Sequence, residues 1–347
     1  MAYKKGRGKY LKKAVRPVTV NTKSTVSDLL RRMGDTAFQG RNLGNAVDVW
    51  EEMLKTDTTV FFGLAGAMVP AGMREVLVYL IKQRYMDCLV STGANLFHDI
   101  HETLGRYHWQ GSCHMDDNEL REHGIDRIYD VFAVEEEFND ADRYIYEFAG
   151  RLPKRPHTTR EFLYLLGKGL SKGAKKDGMV TAAYKSGVHI YCPAVADSSI
   201  GIALALKNGP DHFVFDLIGD VKETADIAAA RKNTGVVYIG GGTPKNFIQQ
   251  TEVTATLQCK KVEGHRYAVQ ITADAPHWGG LSGCTFEEAQ SWGKIAKKSM
   301  HVTVNSDATI ALPIIATALA QRMKGFKRKP PKLDIGSANE VPKRIWE

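Results

Sequence analysis

Lys294 stands in "EEAQSWGKIAKK", residues 287 to 298, directly after Trp292 and Gly293 and with Lys297 and Lys298 at i+3 and i+4. An amine attacks carbon only when neutral, and desolvation or neighbouring positive charge lowers its pKa toward that state. Thr285 and Glu288 have the spacing of a capping box, so the residues predict a helix over 285 to 298 with the three lysines as near neighbours. Gly293 inside such a helix costs about 1 kcal/mol relative to alanine, which suggests that something approaches its backbone closely. Trp292 and Lys294, two apart on a regular helix, would point to nearly opposite sides, so either the helix bends at Gly293 or the two line different walls. The plainer alternative is a solvated basic face.

Three further segments end in small residues: "VSTGANL" (90 to 96), "YIGGGTPKN" (238 to 246) and "NSDATIAL" (305 to 312). Glycine lets backbone N–H groups approach a phosphate, and a following helix adds positive potential at its N-terminus. Gly240, Gly241 and Gly242 could therefore cradle a dinucleotide, with Asp197 of "ADSSIG" and Asp307 available for ribose hydroxyls. None of these segments matches GxGxxG, and a strand that ends in glycines is also an ordinary turn. His98, His101, His108 and His114 cluster without an HExxH pattern, so no metal site is expected. His98 reads as a ligand-facing polar group or as a satisfied structural histidine.

The elements that must position these groups alternate. Short β-rich runs, "TVFFGLAG", "DCLVST", "FVFDLIG", "GVVYIGGG", "YAVQIT" and "HVTVNSD", are each followed by an amphipathic or apolar stretch, the last ending at Gln321. Continuously apolar strands separated by helices predict an α/β fold, a doubly wound, mostly parallel sheet with helices on both faces and ligands at the carboxyl ends of the strands. Residues 25 to 56 predict two added helices, the second opened by Gly44 or Asn45.

With 43% hydrophobic and 25% charged residues in 347, the chain is an ordinary globular protein. The longest apolar run, 308 to 320, is too short to span a membrane and contains Pro313. The N-terminal segment has charge but no apolar core of a secretory signal, and the five cysteines form no CxxC, so a reducing cytoplasm is expected. Residues 1 to 24 hold eight Lys or Arg and no acid, residues 324 to 347 hold seven basic and three acidic, and the remaining body is mildly acidic despite the net charge of +8. The expected organisation is a basic flexible tail (1–24), one catalytic α/β domain (25–325) and a basic C-terminal tail (326–347), with nucleic acid contacted only through the tails.

At "EEAQSWGKI" the chain resembles the deoxyhypusine synthase family, whose nucleophilic lysine follows Trp-Gly. The resemblance extends in the same order through "GDTAFQGRNLGNAV" (34 to 47), "STGANL", "CPAVADSSIG" (192 to 201), "IGGGTPKN", "GGLSG" (279 to 283) and "SDATIALPI", over roughly residues 25 to 325. It implies an NAD-binding catalytic domain and a homotetramer with active sites at a dimer interface. In the implied reaction, bound NAD oxidises spermidine, the lysine captures the aminobutyl group as an enzyme imine, and an acceptor amine takes it. NAD is then recycled. Lys294 matches the nucleophile. Cofactor contacts would come from Thr92, Gly93, Asp197, Gly241, Ala273, Asp274, Asp307 and Ala308, and the substrate side from Trp292, His98, Asn246, Glu288, Gly279, Leu281 and Ile202.

The substrate side departs from the eukaryotic pattern of the family. Ile202 and Leu281 replace two acids that would meet ammonium groups, His98 replaces a third, Asn246 replaces a histidine near the GGG turn, and "LAGAMVPAG" (64 to 72) replaces a cofactor-covering segment. A polycation without carboxylates loses several kcal/mol of charge-assisted interaction. The reading is a deoxyhypusine-synthase-like transferase acting on a polyamine or related amine, with a protein lysine or another amine as acceptor. A homospermidine-synthase-like activity on a small diamine is the alternative within enzymes. A non-catalytic NAD-binding or RNA-associated protein is the alternative of another class.

Overall fold

The computed structural model describes residues 7–206 and 213–333. Expectations for the first six residues and for 334–347 lie outside the described residues. Nine strands are present among those described: β1 (Thr59–Leu64), β2 (Cys88–Ser91), β3 (Trp109–Gln110), β4 (Ile125–Ile128), β5 (Val131–Val134), β6 (His189–Tyr191), β7 (Thr234–Ile239), β8 (His265–Thr272) and β9 (Ile295–Asn305). Six form one parallel sheet in the order β6-β2-β1-β7-β8-β9. Side chains alternate between its two faces: Phe62, Val237, Val269 and Val304 join one buried cluster, and Phe61, Val90, Tyr238 and Ala268 join the other. Both faces are covered, which is why the strands read as unbroken apolar runs rather than as alternation.

The strand order reverses between β1 and β7: β2 and β6 lie to one side of β1, and β7, β8 and β9 to the other. Crossovers leave on opposite faces at such a point and open a crevice at the carboxyl edge. The doubly wound expectation is therefore met. The sequence did not signal the short strand β6 or a separate antiparallel sheet, β3-β5-β4.

Three local expectations change. "FVFDLIG" does not enter the sheet: Phe215 makes only an isolated bridge to His157, and Asp216 caps the helix Leu217–Ala229 by accepting from the Gly219 amide at 2.7 Å. The second added helix, Phe38–Lys55, begins before Gly44. Gly44 is needed there for another reason, because a Cβ on it would lie 2.5 Å from the Leu30 carbonyl of the helix Val26–Met33. The largest change concerns residues 285 to 298, where the helix is only Phe286–Ser291 and Lys297 and Lys298 belong to β9.

At the amino edge of the sheet, Asp87 is fully buried and holds several strands together. It accepts from the Val60 amide at 2.8 Å, from Arg84 at 3.0 Å and from both terminal nitrogens of Arg328 at 2.9 and 2.7 Å. Arg328 also donates to the Thr58 carbonyl at 2.8 Å, so the chain beyond the last helix is anchored under β1. Breaking a buried ion pair leaves an uncompensated charge. Arg328→Ala should lower stability to urea unfolding by about 3 kcal/mol, less whatever Arg84 recovers. An unchanged unfolding midpoint would show that this anchor contributes nothing.

Candidate active site

The carboxyl edge gathers turns from five strands. After β7, Gly240 and Gly242 take φ of +68° and +52°, conformations that favour glycine. Gly241 between them is forced by space, since a Cβ there would fall 2.3 Å from Ser282 Cα. The Gly242 amide donates to Ser282 Oγ at 3.1 Å, so the turn after β7 is laced to the loop after β8 that carries Ala273, Asp274, Gly279 and Leu281. After β2, Thr92 caps the helix Gly93–Thr103, and a Cβ on Gly93 would fall 2.3 Å from Ser198 Oγ. That close packing brings the exposed Asp197 beside the cradle. After β9, Asp307 caps the helix Ala308–Arg322, accepting from the Thr309 amide and hydroxyl at 2.7 and 2.5 Å, and these bonds hold its carboxyl below the usual range.

Three helices of 11, 16 and 15 residues thus start at one edge, at Gly93, Gly242 and Ala308. Their free N–H groups and positive ends suit a pyrophosphate, and the missing side chains leave room for it. Asn95 ties the turn after β1 into this edge, donating to the Gly66 carbonyl at 2.6 Å and accepting from the Val69 amide at 3.2 Å. A cavity of about 840 Å³ opens there, lined by residues 67–72, Glu102, His108, Asp307, Thr309 and the small antiparallel sheet. No His, Cys, Asp or Glu grouping suited to a metal occurs among the described residues.

Gly293, at φ +70°, ends the short helix instead of lying inside it. Its amide donates to the Gln290 carbonyl at 3.0 Å, and the Lys294 amide to the Ala289 carbonyl at 3.1 Å, the paired bonds of a glycine C-terminal cap. The chain then turns into β9. The separation of Trp292 from Lys294 expected of a continuous helix disappears, and the Lys294 ammonium sits over the Trp292 ring, 5.4 Å from its centre. Lys297 and Lys298 are not helical neighbours of Lys294. They lie in a bulge of β9, between the pairs His265 with Ile295 and Tyr267 with Met300. Of the expected capping box, Thr285 accepts from the Glu288 amide at 3.1 Å.

A different lysine neighbours this turn. Lys245, on the first turn after the glycines, is 1% exposed, and its ammonium donates to Gln270 Oε1 at 2.9 Å and to the Cys284 carbonyl at 2.5 Å. Burial pushes it down to about 8; Cys284 and Glu288 oppose that shift and the positive charge of Lys294 adds to it. Lys245 thus lies within electrostatic reach of Glu288 and Lys294. Lys245, Gln270, Ser282 and Cys284 were not singled out from the sequence, because nothing in "GGGTPKN" signals a buried ammonium.

The structure does not bring all the expected residues together. The Lys294 carbonyl accepts from the His265 amide, the first residue of β8, so this lysine enters β9 at the amino end of the sheet. The Asp307 cavity includes neither Trp292 nor Lys294, although the charge of Lys294 reaches Lys245 on the first turn after the glycines. Trp292 is 66% exposed, and Ile202, Leu281 and Trp278 are 57%, 48% and 72% exposed. Asn246 is half-buried next to Lys245.

The lowered Lys245 pKa has a measurable sign. The unfolded chain binds this proton up to its ordinary value of 10.5 and the folded chain only to about 8. Stability should therefore rise with pH across that window, on the order of a few kcal/mol in total. Chemical denaturation of the native protein and of Lys245→Met at pH 7.5 and pH 10 measures it, and the native protein should gain relative to the variant. Parallel pH profiles would show that the lysine is charged and well solvated.

Residues 28–319 match the family model described as deoxyhypusine synthase. A protein of Methanosarcina mazei described as probable deoxyhypusine synthase 2 is 55% identical over 318 residues, 91% of this chain and 92% of that one. One of Archaeoglobus fulgidus with the same description is 54% identical over 288 residues, covering 83% and 95%. Identity to a deoxyhypusine synthase-like protein of Chlorobaculum parvum is 38% over 328 residues, 92% and 93% of the two chains. Among solved structures, a candidate deoxyhypusine synthase from Entamoeba histolytica shares the fold at a TM-score of 0.60 and 17% identity, covering 88% of this chain and 96% of that one. A family model spanning most of the chain, with relatives more than half identical, makes this protein a member of the deoxyhypusine synthase family.

Proposed function

We propose that the chain is an NAD-dependent transferase that moves an aminobutyl or related aminoalkyl group from a polyamine, through an imine on Lys294, to an acceptor amine. The observation that carries this reading is Lys294 itself: a lysine held on a glycine-capped turn, its ammonium over Trp292 and within the field of the buried Lys245. Attack on the substrate carbon uses this amine in its neutral form. When bound, NAD takes a hydride from the carbon beside the substrate nitrogen and returns it at the end of the cycle. Thr92, Gly93, Asp197, Gly241, Asp307 and Ala308 would hold it at the switch point, with Ala273 and Asp274 beside them.

Within one chain the Asp307 cavity includes neither Trp292 nor Lys294. That supports an assembly in which a second copy lays its Trp292–Lys294 turn against the cradle, and it gives a reason for the exposed Trp278, Leu281 and Ile202. On this reading the family's homotetramer is a requirement of the chemistry. Among the described residues no helix is long and apolar enough to cross a membrane, and cytoplasmic action on a soluble amine fits that.

Incubation of the native protein with NAD and candidate amines, followed by borohydride and mass spectrometry, should leave a reduced adduct on Lys294 whose mass identifies the donor. Lys294→Arg should bind NAD as before and lose transfer by a factor of at least about 10³, the scale of losing a covalent route. A fully active variant would sink the mechanism.

His98, Asn246, Ile202, Leu281, Gly279 and Glu288 are the proposed substrate side. With Ile202 and Leu281 apolar, spermidine should bind weakly, and Ile202→Asp with Leu281→Asp should tighten it by about 1–3 kcal/mol per charged contact made. Calorimetry with NAD present decides. Tight binding to the native protein would mean that other acids, such as Asp274 or Glu288, meet the ammonium groups.

A further inference from the structure

Glu102, His108 and His98 form a hydrogen-bonded chain that none of the roles above explains. Glu102 Oε1 lies 2.8 Å from His108 Nδ1, and His108 Nε2 lies 2.9 Å from His98 Nδ1. The other Glu102 oxygen is 3.6 Å from Nε of the buried Arg74, which helps to hold the carboxylate in place. A carboxylate only accepts, so His108 carries hydrogen on Nδ1 and, when neutral, offers a lone pair at Nε2. His98 must then carry hydrogen on Nδ1, which leaves a lone pair on its Nε2.

That last nitrogen has no hydrogen-bond partner among the described residues, and it is not one of the atoms sealed from solvent without a partner. Burial, then the imidazoles of His108 and His101, push the His98 pKa down to about 3, so its ring stays neutral near pH 7. His98 follows the exposed Ala94 by one helical turn on the same face, and Ala94 stands at the cradle. Glu102 and His108 line the cavity that Asp307 and Thr309 border.

Packing alone does not account for the arrangement. His98, His101 and His108 surround Phe138 with ring centres 5.5, 4.8 and 6.4 Å away, and any tautomer satisfies those contacts. Glu102 and His108 line the cavity, His98 does not, and its Nε2 is the free end of the chain.

We propose that Glu102 and His108 are positioning residues that fix His98 as a neutral hydrogen-bond acceptor for an N–H of the amine substrate. A carboxylate at position 98 would draw in any ammonium group by charge. A neutral lone pair selects on direction and donor geometry, so it favours an amine whose reading nitrogen needs no charge partner over a polycation. The proposal rests on the amine-transfer reading of the site.

The test uses full-length protein with ¹⁵N-labelled histidine, saturated with NAD, near pH 7. Long-range ¹H–¹⁵N spectra should show His98 neutral with hydrogen on Nδ1, and the amine that forms the Lys294 adduct, or failing one a small monoamine, should move its Nε2 resonance more than spermidine does. Glu102→Gln should relax the tautomer preference. His98→Phe should raise KM for the adduct-forming amine about tenfold with kcat little changed, the scale of one lost hydrogen bond. Hydrogen on Nε2 of His98 in the native protein overturns the proposal, as does an Nε2 resonance that no amine shifts. These readings need no folded variant. If no amine leaves an adduct on Lys294, the transferase reading has failed, and the spectra still decide the His98 chain.

Discussion

Parallel strands cannot be joined by a tight turn; each must be linked to the next by a crossover that returns the chain to the amino edge. In this protein that constraint gathers the strand-to-helix turns at the carboxyl edge, and it places the order reversal between β1 and β7. The glycines after β7, Gly93 after β2 and Asp307 after β9 are far apart in the chain and become neighbours for this one reason. Three helix N-termini arrive with them, so the edge is electropositive before any charged side chain is counted.

Two buried charges mark the limits of the sheet. At the amino edge the Asp87 carboxylate is met by a backbone amide and two guanidinium groups. Near the carboxyl edge the Lys245 ammonium is met only by neutral oxygens, Gln270 Oε1 and the Cys284 carbonyl. The difference has consequences. A fully paired ion holds structure together, whereas a cation with only neutral partners gives up its proton more readily and spreads its field to its neighbours. Lys294 lies within that field, and its turn remains largely in solvent.

The altered substrate side fits this picture. On the proposed assignment, Ile202 and Leu281 leave the substrate side without two carboxylates, and the imidazole chain at His98 would supply direction in place of charge. A site arranged so asks less of Coulomb attraction and more of geometry, which in turn demands rigid support from Glu102, Arg74 and the packed rings around Phe138.

Apolar periodicity by itself determined the alternation of strands and helices, the parallel sheet and the small-residue turns, because burial on both faces writes itself directly into residue type. The Trp-Gly-Lys segment likewise singled out Lys294 as the proposed nucleophile. The sequence misplaced the helix around it, since Gly293 reads as a costly interior residue until its φ of +70° makes it a terminator. Propensity also put "FVFDLIG" in the sheet, where Asp216 instead opens a helix. Only the tertiary structure decided that Lys245 is buried, that Glu102, His108 and His98 join into one chain, and that the Lys294 ammonium folds over Trp292 within reach of Lys245. Each of those depends on contacts between residues in different elements, and a local pattern carries no record of which distant group will remove a side chain from water.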